Sequence, residues 1–135
     1  MEQIWQSPET PSINRLPMLN LEHPTEISLD GTWNFQLLNS PNAPLSSSWS
    51  TIPVPGLWTV IDGKQPFNDA PWYTNTQMPW RYFAPLVPED NPTGIYERTF
   101  TLSDNLTHKR IVLHIGATES VHILYINGQE VGAGK

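Results

Sequence analysis

Short runs of alternating hydrophobic and polar residues recur along this chain, separated by stretches rich in proline and glycine. In Leu29-Asp30-Gly31-Thr32-Trp33-Asn34-Phe35-Gln36-Leu37, the side chains of Trp33, Phe35 and Leu37 fall on one face, and Thr32, Asn34 and Gln36 on the other. That period of two predicts a half-buried strand, and Asp30-Gly31 supplies a tight turn before it. A polar loop follows from Asn39 to Ser48, and then Ile52-Pro53-Val54-Pro55. Proline lacks the N–H that a central strand must donate, so this segment is an edge strand or an extended connection. Ile95 to Leu102 alternates again, with Tyr96, Phe100 and Leu102 opposite Glu97, Thr99 and Thr101; Arg98 interrupts the apolar face and needs an acceptor. Ile111, Leu113 and Ile115 alternate with Arg110, Val112 and His114, which predicts a further strand. Ser120 to Ile126 is apolar at nearly every position, as in a strand covered on both faces. Asn127-Gly128 then signals a type I′ hairpin, because both residues accept a positive φ, and Gln129-Glu130-Val131-Gly132 begins the return strand.

Two regions lack this pattern. Residues 1–27 read as an extended arm: Pro8, Pro11, Pro17 and Pro24 break any helix, while Trp5, Ile13, Leu16, Leu19 and Leu21 offer anchors. From Gly56 to Gly94 the chain has little regularity but carries Trp58, Phe67, Trp72, Tyr73, Trp80, Tyr82 and Phe83. A loop of that length is uncommon in a compact domain and is usually functional, so this segment is the one expected to reach a ligand or another domain. The expected organisation is an arm over 1–27 and one β domain over 28–135. The chain stops at Lys135, just after a strand has started back. A sheet edge left there is normally covered, so the expectation is a β sandwich truncated at its C-terminus, one piece of a larger protein.

Composition narrows the class. The 135 residues suffice for one domain with a real core. Hydrophobic residues make up 38% and charged residues 15%, which argues against disorder. Fourteen prolines and eight glycines favour short strands and ordered loops over long helices, an all-β fold. A formal net charge of −6, with seven scattered Lys and Arg, disfavours nucleic acid, which requires a basic patch. There is no cysteine, so disulfides and cysteine-zinc sites are excluded. Met1-Glu2-Gln3-Ile4-Trp5 has neither the basic nor the apolar region of a secretory signal. No stretch approaches the roughly 20 apolar residues of a spanning helix. A soluble, cytoplasmic protein that takes a neutral or polar ligand is the resulting expectation.

Several segments, in order along nearly the whole chain, resemble the N-terminal domain of bacterial β-galactosidases of glycoside hydrolase family 2. Trp5 to Leu16 looks like the arm, Leu29-Asp30-Gly31-Thr32-Trp33-Asn34-Phe35 like the first strand, and Val54-Pro55-Gly56-Leu57-Trp58 like the next landmark. Tyr73-Thr74-Asn75, Val87-Pro88-Glu89-Asp90-Asn91-Pro92-Thr93-Gly94-Ile95-Tyr96 and Tyr125-Ile126-Asn127-Gly128-Gln129-Glu130-Val131-Gly132 complete the set. The resemblance implies a jelly-roll-like, galactose-binding-domain-like β sandwich. In the full enzyme it would be followed by immunoglobulin-like domains and a (β/α)8 barrel, in a homo-oligomer. It implies hydrolysis of terminal β-D-galactosides such as lactose, with retention, by glutamates on the barrel that match no position here. It also implies Mg²⁺ and Na⁺ in the full-length enzyme with ligands outside this chain, an acidic sugar and sodium ligand lying beyond Lys135. At the arm's metal-binding positions this chain has Ile4 and Ser7, so that site is not carried over.

No catalytic residue is therefore expected in this chain, and no cofactor. Retaining glycosidases need two carboxyl groups roughly 5–5.5 Å apart, whereas Asp62, Asp69, Glu89 and Asp90 read as solvated or capping residues of loops. Asn75 is the candidate substrate-binding residue: its amide both donates and accepts, as sugar hydroxyls do, and the resemblance puts this Asn in the barrel's pocket. From the residues alone, an amide stabilising its own loop is the competing reading. Thr76 stands where the family often has an aliphatic residue. Trp58, Trp72 and Tyr73 either stack on sugar rings or anchor the core and domain interfaces. His114 and His122 lack a third ligand at metal-binding spacing, so no metal site is expected. Asn105-Leu106-Thr107 is a glycosylation sequon only in a secreted protein. The function expected is thus an accessory domain that adds Asn75 to a pocket built elsewhere and packs against the enzyme's other domains. The alternatives are a free-standing carbohydrate-binding module or a purely structural assembly domain.

Overall fold

A computed structural model describes residues 3–18, 26–73, 75, 81 and 86–135. Of the residues singled out above, Leu19, Leu21, Pro24, Thr74, Thr76, Trp80, Tyr82 and Phe83 lie outside these. The described chain is all-β, with strands β1 (Ser12–Ile13), β2 (Gly31–Leu38), β3 (Ser50–Val54), β4 (Thr93–Glu97), β5 (His122–Ile126) and β6 (Gln129–Gly134). Two short 3₁₀ turns, Ile4–Gln6 and Asp104–Leu106, complete the regular structure. The strands form two antiparallel sheets of three, ordered β1-β6-β5 and β3-β2-β4, as a β sandwich requires. Each sheet belongs to its own compact unit. One gathers the two ends of the chain, residues 3–18 and 102–135 with the short piece 86–87; the other is the middle, 26–73, 75, 81 and 88–101.

In the middle unit β2 is the central strand. It pairs with β3 from Gly31↔Val54 to Phe35↔Ser50 and with β4 from Asn34↔Glu97 to Leu38↔Thr93. Pro53 therefore sits on an edge strand, where its missing N–H costs no ladder bond. Phe35 has no exposed surface and Ile52 almost none, so the core sits on their face of the sheet. Removing such a side chain from water contributes about 1.5–3 kcal/mol. Arg98 finds its acceptors just outside the ladder: Nη1 donates to the carbonyls of Leu29 and Asp30, both at 2.8 Å. Trp33 Nε1 also donates to Leu29 O, at 2.7 Å, so the turn that feeds β2 is held twice.

The expectation of a half-buried β2 needs correction. Gln36, on the opposite face from Phe35, is buried as well, because the loop after β2 folds back over it. Its amide pairs with one peptide unit, Nε2 donating to Ser46 O at 2.8 Å and Oε1 accepting from Ser46 N at 2.9 Å. A buried amide with both ends satisfied costs little, whereas an unpaired one is expensive.

In the other unit, β6 is central and the arm supplies an edge strand. Ser12↔Gly134 and Ile13↔Ala133 pair β1 with β6, and Asn14 Nδ2 donates to Val131 O at 3.0 Å. The β5–β6 hairpin turns on Asn127 (φ 50°) and Gly128 (φ 76°), the two left-handed residues that a type I′ turn requires. Ile4, rather than Trp5, is the buried anchor of the arm, and Leu16 is exposed. Three further expectations fail here. β5 is not covered on both faces, since Tyr125 and Ile126 are exposed. Residues 111–115 form no strand, and Ile111 is 51% exposed. The third failure is in the middle unit, where β4 ends at Glu97 instead of continuing to Leu102. Alternation marks a segment able to be a strand, but a strand exists only where a neighbour takes its N–H and C=O groups. Among the described residues, none does so for 98–102 or 111–115.

Candidate functional site

The loop between β3 and β4 begins with two tight reversals, Leu57↔Val60 and Ile61↔Lys64. Asp62 (φ 50°) and Gly63 (φ 73°) take left-handed backbone in the second, which aspartate and glycine tolerate best. The described aromatic residues of the loop then divide into two groups. Trp58 and Phe67 turn inward: Phe67 meets Phe35 edge-on with centroids 4.6 Å apart, and Trp58 lies 6.2 Å from Phe35 and 6.5 Å from Tyr96. Tyr96 also meets Phe35, at 4.9 Å, and burial pushes its hydroxyl pKa above 10.0. Such pairs each add about 0.5–1.5 kcal/mol beyond the area they bury. Trp72 and Tyr73 are 62% and 71% exposed. Trp58 is thus a core anchor, and the other two stand at the surface.

Between the two groups lies a polar joint. Trp58 Nε1 donates to Asp69 Oδ2 at 2.6 Å, Ala70 N donates to Asp69 Oδ1 at 3.0 Å, and Asp69 N donates to Phe67 O at 2.8 Å. Gln65, Phe67, Asn68, Asp69 and Ala70 line an open depression of about 450 Å³ at this joint. Beyond it, Asn75 is exposed, and its Nδ2 lies 3.5 Å from the Tyr73 hydroxyl, the outer limit of a hydrogen bond. Among the described residues no partner holds the Asn75 carbonyl oxygen.

The other candidates fall elsewhere. Asp62, Glu89 and Asp90 are exposed, and Asp69 is committed to its loop. His114 is exposed. His122 lies against Gly134, and its enclosed Nδ1 has no hydrogen-bond partner among the described residues. Burial, and secondarily the charge of Arg15, lowers its pKa below 6.5. Among the described residues no group of three His, Asp or Glu side chains could hold a metal ion. At the arm, Ile4 is buried and offers no oxygen, while the Ser7 carbonyl accepts the Lys135 ammonium. These positions do not fit a divalent cation. Asn105 accepts from Ser103 Oγ at 2.6 Å within its 3₁₀ turn. Among the described residues no helix is long and apolar enough to cross a membrane.

The family model described as "Glycosyl hydrolases family 2, sugar binding domain" matches residues 27–135. This chain belongs to that family. As a family 2 sugar-binding domain it is similar to the β-galactosidase of Arthrobacter sp. (strain B7), 35% identical over 86% of this chain and 14% of that protein. It is 39% identical to the β-galactosidase of Vibrio cholerae serotype O1 over 78% of this chain and 11% of that protein. The β-galactosidase of Kluyveromyces lactis is 35% identical over 90% of this chain and 13% of its own length. The domain thus spans between 11% and 14% of these relatives. No solved structure matches it significantly.

Sequence reasoning singled out Asn75 but missed its hydroxyl neighbour and the joint behind it. The Tyr73-x-Asn75 spacing brings the hydroxyl and the amide together. Asp69 is one of four loop carboxylates that read as solvated or capping residues, and nothing in the spacing marks it as the partner of a tryptophan eleven positions earlier.

Proposed function

We propose that this chain is the non-catalytic N-terminal domain of a retaining β-galactosidase that hydrolyses terminal β-D-galactosides such as lactose, and that its β3–β4 loop contributes Asn75 to the substrate pocket. The supporting observation is the state of Asn75. Its amide is exposed, in a loop anchored by Trp58 and Phe67, and among the described residues its one hydrogen-bond contact is the 3.5 Å approach to the Tyr73 hydroxyl. An amide so placed matches sugar hydroxyls, which also donate and accept. The two glutamates that retention requires would come from a barrel domain. Mg²⁺ and Na⁺ would be held by residues outside this chain. Exposed Ile111, Val112 and Leu113 suit packing against further domains or subunits of a cytoplasmic homo-oligomer.

The test is Asn75→Ala in the full-length enzyme. A lost hydrogen bond to a neutral hydroxyl costs about 0.5–1.5 kcal/mol, roughly threefold to tenfold at about 1.4 kcal/mol per decade. KM or kcat should worsen by that factor, with the pH profile unshifted because no titrating group is removed. Unchanged kinetics with a lower melting temperature would make Asn75 a loop-stabilising amide.

A further inference from the structure

We infer that the depression lined by Gln65, Phe67, Asn68, Asp69 and Ala70 is a binding subsite for one neutral sugar unit, separate from the contact proposed for Asn75.

The lining side chains carry the inference. Gln65 and Asn68 are exposed, and among the described residues neither side-chain amide has a hydrogen-bond partner. Each amide offers two N–H donors and a carbonyl acceptor. A sugar hydroxyl also donates and accepts, so two unspent amides on the wall of one depression can meet it in either sense. Phe67 adds a half-buried aromatic ring, against which the C–H groups of a pyranose can lie while its hydroxyls reach the amides. The depression measures about 450 Å³, within the size range of small-molecule sites.

Charge narrows the ligand further. Asp69 is the one ionisable side chain in the lining, and the chain as a whole carries −6. An anionic sugar such as a uronate would meet repulsion on both counts. A metal cation is no better suited, since among the described residues no three His, Asp or Glu side chains converge. An apolar ligand would cover two amides and a carboxylate without satisfying them, which is costly.

The lining is held in place by contacts that leave its outward groups unspent. Just before Gln65, a reversal closes with Ile61 N donating to Lys64 O at 2.8 Å and Lys64 N to Ile61 O at 2.9 Å. Asp69 accepts from Trp58 Nε1 at 2.6 Å and from Ala70 N at 3.0 Å. A carboxylate has about four lone-pair sites, so two bonds fix it without exhausting it. Phe67 is seated on Phe35, with ring centroids 4.6 Å apart. Walls fixed in advance lose little freedom when a ligand arrives. The site is nevertheless open and wet, so its dissociation constant should fall in the millimolar range.

The experiment uses the full-length enzyme and a galactoside carrying a photoreactive diazirine, with the label located by proteolysis and mass spectrometry. The expected result is saturable labelling of residues 65–70, competed by galactose or glucose and far less by glucuronate at equal concentration. Gln65→Ala and Asn68→Ala alter exposed side chains and should leave the fold intact. Each should raise the half-saturating concentration about threefold to tenfold, the effect of losing one neutral hydrogen bond. Asn75→Ala should leave this labelling unchanged. Absence of competable labelling over 65–70, equal competition by glucuronate, or unaltered half-saturation in both amide variants would overturn the subsite. Loss of the labelling in Asn75→Ala would overturn it too, by showing a single pocket. Labelling that persists while Asn75→Ala leaves kinetics unchanged would instead overturn the reading of Asn75 and uphold the subsite.

Discussion

At the scale of single residues, what decides behaviour is whether a polar group enclosed by the fold has a partner. Buried Gln36 has two and half-buried Arg98 has two. His122 is the exception, with an enclosed Nδ1 that none of the described residues pairs. Protonation would put a charge on a partly desolvated ring facing Arg15, and both effects hold its pKa below 6.5. The unfolded chain therefore binds the proton first as pH falls. Stability is complete above the unfolded pKa of about 6.5 and declines as pH drops from there through the lowered folded value. His122→Phe keeps a ring against Gly134 and removes the titration. The variant's melting temperature should change less than the parent's between pH 7 and pH 5.5, and two parallel curves would refute this. Neither Gln36 nor His122 was legible in the sequence as a special position. A glutamine on the polar side of an alternating strand looks solvated until a loop closes over it.

At the scale of elements, the sequence was informative wherever local chemistry suffices. The type I′ hairpin at Asn127-Gly128, the edge position of β3 and the start of β2 all follow from φ preferences, a missing N–H and a period of two. The failures share one cause: 111–115 and 98–102 alternate as well as β2 does, yet pairing is a property of neighbours that a single segment does not encode. Gly94 shows the opposite case, in which an element tolerates one residue only because of what lies across it. Its φ is ordinary, so alanine there meets no backbone strain, but its Cβ would enter the contact shell of Trp58 and Phe35. Gly94→Ala should destabilise the domain by about 1–3 kcal/mol, the usual cost of overpacking. Denaturant titration measures this, and the near-ultraviolet signal of Trp58 should change with it. Equal midpoints for the two proteins would show that the ring has room to retreat.

At the scale of the whole molecule, the candidate site was legible as a segment and as one residue, while its support was not. The long aromatic loop and Asn75 stand out in the sequence, but the Trp58–Asp69 bond joins residues brought together by the two reversals of the loop. A further expectation belongs to this scale. The proposed function places both catalytic glutamates outside this chain, so the 135-residue protein by itself should hydrolyse no β-galactoside. Turnover of a chromogenic galactoside above a heat-killed control would contradict it. The sheet β1-β6-β5 has one last consequence. Asn14 and Val131, which hydrogen-bond across it, are 117 positions apart in the chain. At roughly 5–20 residues per second of synthesis, the arm leaves the ribosome some 6 to 23 seconds before the strand it must meet, whereas β2, β3 and β4 are all available sooner. The middle unit can settle during translation, and the arm has to wait, its edge uncovered, for β6 to be made.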